Sequence, residues 1–243
     1  MLTISEEWKA AYPGATAGIL VMRGLCNPAR HPALEARRLQ VEEAVRGRFG
    51  GMGRAQLVAA APLDAYSVYF KRFKKTYPVQ LQLESIVFKD RHIPNFSALV
   101  TAMFTAELKN QLLTAGHDMD SLELPVTLRV ADGTESFTLI TGARQGLKAH
   151  DMYMCDTAGI ISVVVYGPDE RTRITPDTRN ALFTVYAPPG VDPAAVQAHL
   201  ENLRDNVFLV VPDAQVERLE VYRPTERLSE VRERKERGHR RLR

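Results

Sequence analysis

His117 stands in the run AGHDMDSL (residues 115–122) with two carboxylates, Asp118 and Asp120, one and three positions further on. An imidazole can take a proton or donate a hydrogen bond, and neighbouring carboxylates can orient an amine. The same aspartates can equally cap the turn that carries them. A second polar run, TPDTRN at residues 175–180, puts Thr178 and Asn180 where they can contact a ligand or satisfy their own backbone. Arg129 and Glu135 flank Asp132-Gly133 and read as cross-strand partners on a hairpin. The remaining histidines are His31, His92, His150, His199 and His239, and no two share metal-ligand spacing. Cys26 and Cys155 lie far apart and outside any CxxC pattern, so two reduced thiols are expected, with no metal and no cofactor. The chain carries no phosphate-binding glycine loop, nucleophile elbow, HExxH or dinucleotide fingerprint.

The elements that must position these groups follow from periodicity. Residues 16–25 read as a buried strand. Residues 31–49 read as a half-exposed helix stopped by Gly50-Gly51. A helix is predicted over 64–77. It would turn Tyr66, Val68, Phe70 and Phe73 to the core, and Lys71, Arg72, Lys74 and Lys75 to water or to phosphates. Residues 95–113 repeat apolar side chains every three or four positions, a strongly amphipathic helix. A loop over 114–124 then leads to strand-like runs at 124–131, 136–141, 152–155 and 159–166. Asp132-Gly133 is expected to turn a hairpin between the first two, and residues 156–159 to turn between the last two. A strand at 180–186 precedes a helix capped by Asp192 with Pro193 at its first position, and residues 218–222 can form a last strand. Helices, then clustered strands, then a helix make the fold class α+β rather than a doubly wound sheet.

Composition agrees with a soluble globular protein: 243 residues, 45% hydrophobic and 25% charged. No signal-peptide pattern opens the chain and no apolar run is long enough for a membrane helix, so a cytoplasmic protein is expected. The net charge of +3 is uneven: residues 217–243 hold nine Arg and one Lys against six Glu, leaving the rest slightly acidic. That tail reads either as a solvated, frayed helix or as a phosphate-contacting arm, in which Arg237, Arg240, Arg241 and Arg243 crowd the terminus. The organisation expected is an N-terminal strand–helix extension (1–63), a main domain (64–212), and a short strand with a basic tail (213–243).

Residues 66–210 resemble the B3/B4 module of bacterial phenylalanyl-tRNA synthetase β subunits and, more closely, free-standing B3/B4 proteins. The stretch IPNFSALVTAMF from Ile93 keeps Pro94, Leu99 and Val100 of the motif LPxxNxLVDxxN, with Ser97, Thr101 and Phe104 at its polar positions. Asp118 and Asp120 match a glycine-rich turn in which His117 takes an aromatic's place. Leu128, Arg129, Ala131, Gly133, Glu135 and Phe137 match a strand pair, and Asp156, Gly159 and Ile161 a turn. The TxDTRNALF signature is complete from Thr175 to Phe183. Departures fall on polar positions: SVVVYGPDERT replaces an Arg- and Trp-rich run, Tyr186 stands where the family has a glutamate, and Ala115 stands where the editing enzyme has a histidine.

The resemblance implies a protein that binds tRNA or aminoacyl-tRNA and hydrolyses mischarged species in trans. No DNA and no membrane partner is implied. Ester hydrolysis needs a held water about 3 Å from the carbonyl carbon, oxyanion donors and a side-chain pocket. On that reading His117 and Thr178 are the catalytic candidates. Ser97, Thr101, Thr114, Asp118, Asn180 and Tyr186 are the substrate-binding ones. The more apolar pocket would prefer an apolar side chain or be closed. The alternatives are a non-catalytic binding module for a small apolar ligand or a protein partner, and RNA binding driven by the tail and by Lys71–Lys75.

Overall fold

The computed structural model describes residues 1–94 and 96–223. The chain opens with β1 (Leu2–Ile4), α1 (Glu6–Ala11), β2 (Thr16–Arg23), α2 (Pro32–Phe49), α3 (Arg54–Ala59), α4 (Leu63–Arg72), α5 (Pro78–Lys89) and α6 (Ala98–Asn110). Eight strands follow: β3 (Thr114–Asp118), β4 (Val126–Val130), β5 (Ser136–Thr138), β6 (Arg144–Gly146), β7 (Met152–Cys155), β8 (Ile160–Val163), β9 (Gly167–Pro168) and β10 (Ala181–Ala187). The described chain closes with α7 (Pro193–Phe208) and β11 (Gln215–Tyr222). The fold is α+β, as its order of elements predicts. Among the described residues no helix is long and apolar enough to cross a membrane.

Two sheets share the core. One is four-stranded and antiparallel in the order β11-β2-β10-β3; the other runs β1-β4-β7-β8-β9. The first must be apolar on both faces, because it is covered twice, and β2 and β10 are buried almost throughout. On one face lie α6 and α7. Gly18 permits this: a Cβ there would come within 2.7 Å of Val196 and 2.9 Å of Leu200 on α7. Gly116 does the same for β3, where a Cβ would sit 2.7 Å from Ile174 and 3.3 Å from the Met103 sulfur. On the opposite face, Tyr186 of β10 reaches across to the Ser162 hydroxyl of β8.

Asp192 caps α7 through Ala194 N at 2.9 Å, with Pro193 at the first helical position, as the sequence predicts. Several expectations are corrected. Residues 114–118 are not loop but β3, since they are buried and pair with β10 from Asp118↔Ala181 to Thr114↔Val185. The helix expected over 64–77 stops at Arg72, and an unforeseen α5 starts at Pro78. Val68 is 58% exposed rather than buried. Asp132-Gly133 is not a hairpin turn: β4 pairs with β7, β5 with β6, and Arg129 faces Tyr153 instead of Glu135. The Glu135 carboxylate instead accepts from the backbone N–H groups of Asp132 and Gly133. The turn at 156–159 does join β7 to β8, with Asp156 Oδ1 accepting from Ala158 N and Gly159 N at 3.0 Å each.

Polar pins fix the layers. Glu42, fully buried on α2, takes Arg38 at 2.7 Å, His92 Nδ1 at 2.5 Å and Ile93 N at 2.9 Å, tying α2 to the segment that leads into α6. Tyr66 and Tyr77 stack at 4.4 Å; Tyr66 donates to Tyr186 O at 2.8 Å and Tyr77 to Gln111 O at 3.0 Å, fixing α4 against β10 and the end of α6. Tyr69 donates to Asp151 Oδ1 at 2.5 Å and accepts from Met152 N at 2.7 Å, while Asp151 Oδ2 has no partner among the described residues.

Burial pushes the Asp151 carboxyl up to about 7, although Tyr69 and nearby N–H groups work the other way. Glu107 on α6 is likewise pushed by burial to about 8. Both folded values lie above the ordinary carboxylate range, so the folded state holds these protons more tightly than the unfolded one. Their stabilisation is complete below the unfolded values and is lost as pH rises through 7 and 8. Asp151→Asn should therefore flatten the fall in unfolding free energy between pH 5 and 8, and should match or exceed the parent at pH 8. Urea melts at both pH values measure this, and an unchanged slope would contradict the assignment.

Candidate functional site

Four of the candidate residues meet at one end of the four-stranded sheet, where β3 ends, β10 begins and α6 starts. Thr178, wholly buried, holds the loop before β10 closed: its hydroxyl accepts from Thr175 N at 2.9 Å and donates to Asp118 Oδ2 at 2.7 Å. Asp118 Oδ1 accepts from Asp120 N at 3.0 Å, so that carboxylate caps its own turn. Asn180 donates to both Asp120 oxygens at 3.0 and 2.9 Å, and its oxygen faces Gly24 N at 3.4 Å. Ser97 is the N-cap residue of α6, and its hydroxyl accepts from Asn27 at 3.1 Å.

Asn27 is the organising residue that the sequence reading missed. Its amide donates to Thr175 O at 2.8 Å as well as to Ser97, and its oxygen accepts from Leu99 N at 2.9 Å, so one buried side chain fastens the loop to the first turn of α6. The only signal for it is an Asn followed by Pro28 after an apolar strand, a turn dipeptide found in many loops.

The other candidates are placed elsewhere. Thr101 is buried one turn into α6, with its hydroxyl on Phe96 O at 3.1 Å. Thr114 lies at the opposite end of β3, its hydroxyl 2.7 Å from His199 Nε2 and its N–H donating to Glu107 at 2.6 Å. Tyr186 sits in the core with its hydroxyl on Ser162, and burial pushes that phenol up to about 12. The β3–β10 register puts Ala115 opposite Thr184 and His117 opposite Leu182. Ala115, His117, Thr184 and Tyr186 therefore share the face turned toward the second sheet, which their side chains and Ser162 occupy. Arg237, Arg240, Arg241 and Arg243 lie outside the described residues.

His117 is wholly buried on that inner face, 2.8 Å from Thr172 Oγ1, and Thr172 in turn donates to Asp169. With the Thr172 proton committed to a carboxylate, His117 Nδ1 must carry the hydrogen, which leaves Nε2 a bare acceptor. Nε2 has no partner among the described residues. Burial drives the imidazole down to about 3; the Asp156 carboxylate opposes this and the Arg171 guanidinium adds to it. His117 is therefore neutral at any ordinary pH. Burial would raise Asp156, but Glu123 N–H and Arg171, at 2.9 and 2.8 Å, hold it below its usual range. Among the described residues no group of three or more His, Cys, Asp or Glu side chains is arranged to hold a metal ion.

A B3/4 domain model matches residues 63–206, more than half of the chain, and the chain belongs to that family. Among solved structures it is similar to an N-terminal fragment of the phenylalanyl-tRNA synthetase β subunit from Pyrococcus horikoshii. Identity is 13% and the TM-score 0.47, with 91% of this chain and 50% of that one covered, so the chain spans half the length of that fragment. No curated protein matches the chain.

The saturation of the sheet-end cluster has a measurable consequence. Thr178→Val removes the donor to Asp118 and the acceptor of Thr175 N at a wholly buried position, and should cost about 1–3 kcal/mol of stability. Thr178→Ser should recover most of it. Denaturant melts of the three proteins decide the matter; a loss near zero for the valine variant would show that the loop is held by something else.

Proposed function

We propose that this B3/4 protein is a tRNA-associated binding protein that holds RNA through the C-terminal end of α4. The observation that carries the reading is the cluster Lys71, Arg72, Lys74 and Lys75. All four side chains are exposed, and none is ion-paired among the described residues. Lys74 turns the chain out of the helix at φ +57, and the Lys75 ammonium lies 5.7 Å over the Tyr166 ring. Cations also offset the negative end of a helix dipole, but one or two suffice for that. Four within five residues present a field suited to several phosphates, whose counterions would be released on binding. The family resemblance supports tRNA as the RNA. The hydrogen bonds of Thr178, Asp118 and Asn180 favour holding over cleaving, because the Thr178 proton, both Asp118 oxygens and the Asn180 amide are each engaged inside the chain.

Hydrolysis of mischarged aminoacyl-tRNA by a positioned water is the second reading, and one observation favours it. His117 is a neutral imidazole fixed in its tautomer by Thr172 and Asp169, and its Nε2 has no partner among the described residues. That nitrogen offers a lone pair that can accept a proton once contact with water raises its basicity from the buried value of about 3. Reaching it requires the interface between the sheets to open.

Retention of tRNA as a function of salt separates α4 from the tail. Lys71→Met with Lys75→Met should reduce the slope of log affinity against log salt by about 1.5–2, and cutting the chain after Arg223 should leave most of the retention in place. Loss of binding on truncation, with the lysine pair indifferent, would move the RNA to the tail. Incubation with correctly and wrongly charged tRNAs tests the second reading. Binding without loss of the esterified amino acid is expected; selective deacylation that disappears in a folded His117→Ala variant would establish the hydrolase instead.

A further inference from the structure

α4 turns Asp64, Val68 and Lys71 to solvent at positions i, i+4 and i+7, with Ser67 buried beside them at i+3. Opposite it α3 presents Arg54, Ala55, Val58 and Ala59, and between the two helices lies an open cleft of about 610 Å³. Its floor is aliphatic, and Val68 is 58% exposed, unusually so for a valine beside so much apolar surface. A narrower extension of about 150 Å³ shares Arg54, Val58, Ser67 and Lys71 and runs on to Lys75. The polar groups are concentrated where the two parts join. Arg54 is set by Glu84 through Nε at 2.9 Å, and its two Nη groups make no hydrogen bond among the described residues. Glu84 is itself held by Gln80 Nε2 at 2.7 Å, and Gln80 takes the buried Ser67 hydroxyl at 3.2 Å, so the guanidinium has a built support. The carboxylate of Asp64 stands at the far end, seven residues and roughly 10 Å of helix away from Lys71.

At one end stand Lys71 and the Nη groups of Arg54, whose Nε is ion-paired with Glu84, and the floor is aliphatic. At the other end is the Asp64 carboxylate, whose Oδ1 accepts from Ala65 N at 2.8 Å and whose Oδ2 makes no hydrogen bond among the described residues. This polarity sequence suits one class of small group. We propose that the cleft is a subsite for one unpaired nucleotide, with its phosphate on Lys71 and Arg54, its base against Val58 and Val68, and the base's N–H edge toward Asp64. The inference rests on the RNA-holding reading of α4 and sharpens it. A base within a duplex has both faces stacked and its pairing edge engaged, so neither the floor nor Asp64 can reach it; a single-stranded or free nucleotide meets both. Aspartate accepts from base N–H groups, so guanine, which presents a ring N–H beside an amino group, suits the far end best.

The test uses the full chain and fluorescence anisotropy with a guanine-containing single-stranded RNA of twelve nucleotides and a blunt RNA duplex of the same length. The single strand should bind about tenfold more tightly than the duplex. Val68→Asn, a neutral change at an exposed position, should remove most of that preference and leave duplex binding as it was, whereas Lys71→Met should weaken both. Equal binding of the two RNAs, or a preference untouched by Val68→Asn, overturns the subsite. A parallel titration with guanosine monophosphate, read from the methyl signals of Val58 and Val68, keeps the two proposals apart. Saturable shifts without any RNA retention would retain a free-nucleotide subsite and discard the RNA-holding reading. Neither shifts nor retention would discard both.

Discussion

A polar side chain carried into a protein interior must find its hydrogen-bond partner there, and at the junction of β3, β10 and α6 this requirement governs the arrangement. Thr178 is wholly buried, so its hydroxyl is shared between Thr175 N and Asp118. Asp118 is thereby oriented, Asn180 is drawn onto Asp120, and Asn27 closes the ring by bonding the same loop to the start of α6. Each bond is modest by itself, but leaving any one buried group unpaired would cost far more than the bond is worth. The signature TxDTRN thus acts as a clasp that joins three elements distant in sequence.

The space between the sheets obeys the same logic with different chemistry. Where the resemblance implies a glutamate and a histidine, the chain has Tyr186 and Ala115, and the tyrosine ring with its hydroxyl on Ser162 occupies the interior. His117 is carried onto this face by strand alternation, deprived of water and kept neutral. On the proposed reading, a clasp at the sheet's end and a filled interior leave recognition to the surface. There the asymmetry is marked: α4 turns its aromatics inward and leaves its terminal cations outside.

Much of this was legible in the sequence. The strand at Thr16–Arg23, the helix opened by Asp192-Pro193 and the turn at Asp156 each depend on local signals that short runs carry faithfully. β3 was not legible, because AGHD has no strand periodicity and becomes a strand only through its pairing with β10. The break between α4 and α5 was hidden because apolar spacing continues across it; Pro78 was the clue. Among the site residues, Asp118, Thr178 and Asn180 were found by type and motif, but their role as one another's partners depends on contacts spanning about sixty residues of chain. Thr114 and Tyr186 fell at the far end of the sheet because motif order does not reveal which end of a strand a residue occupies. Asn27 carries only the Asn-Pro dipeptide, which marks a turn and not a site.

The central claim is that RNA lies on the end of α4, and lysine acylation of the protein with and without tRNA tests it most directly. The account predicts that tRNA protects Lys71, Lys74 and Lys75 at low salt, that added salt removes the protection, and that Lys89 and Lys109 react alike in both cases. Unchanged reactivity at Lys71, Lys74 and Lys75 in the presence of bound tRNA would contradict it.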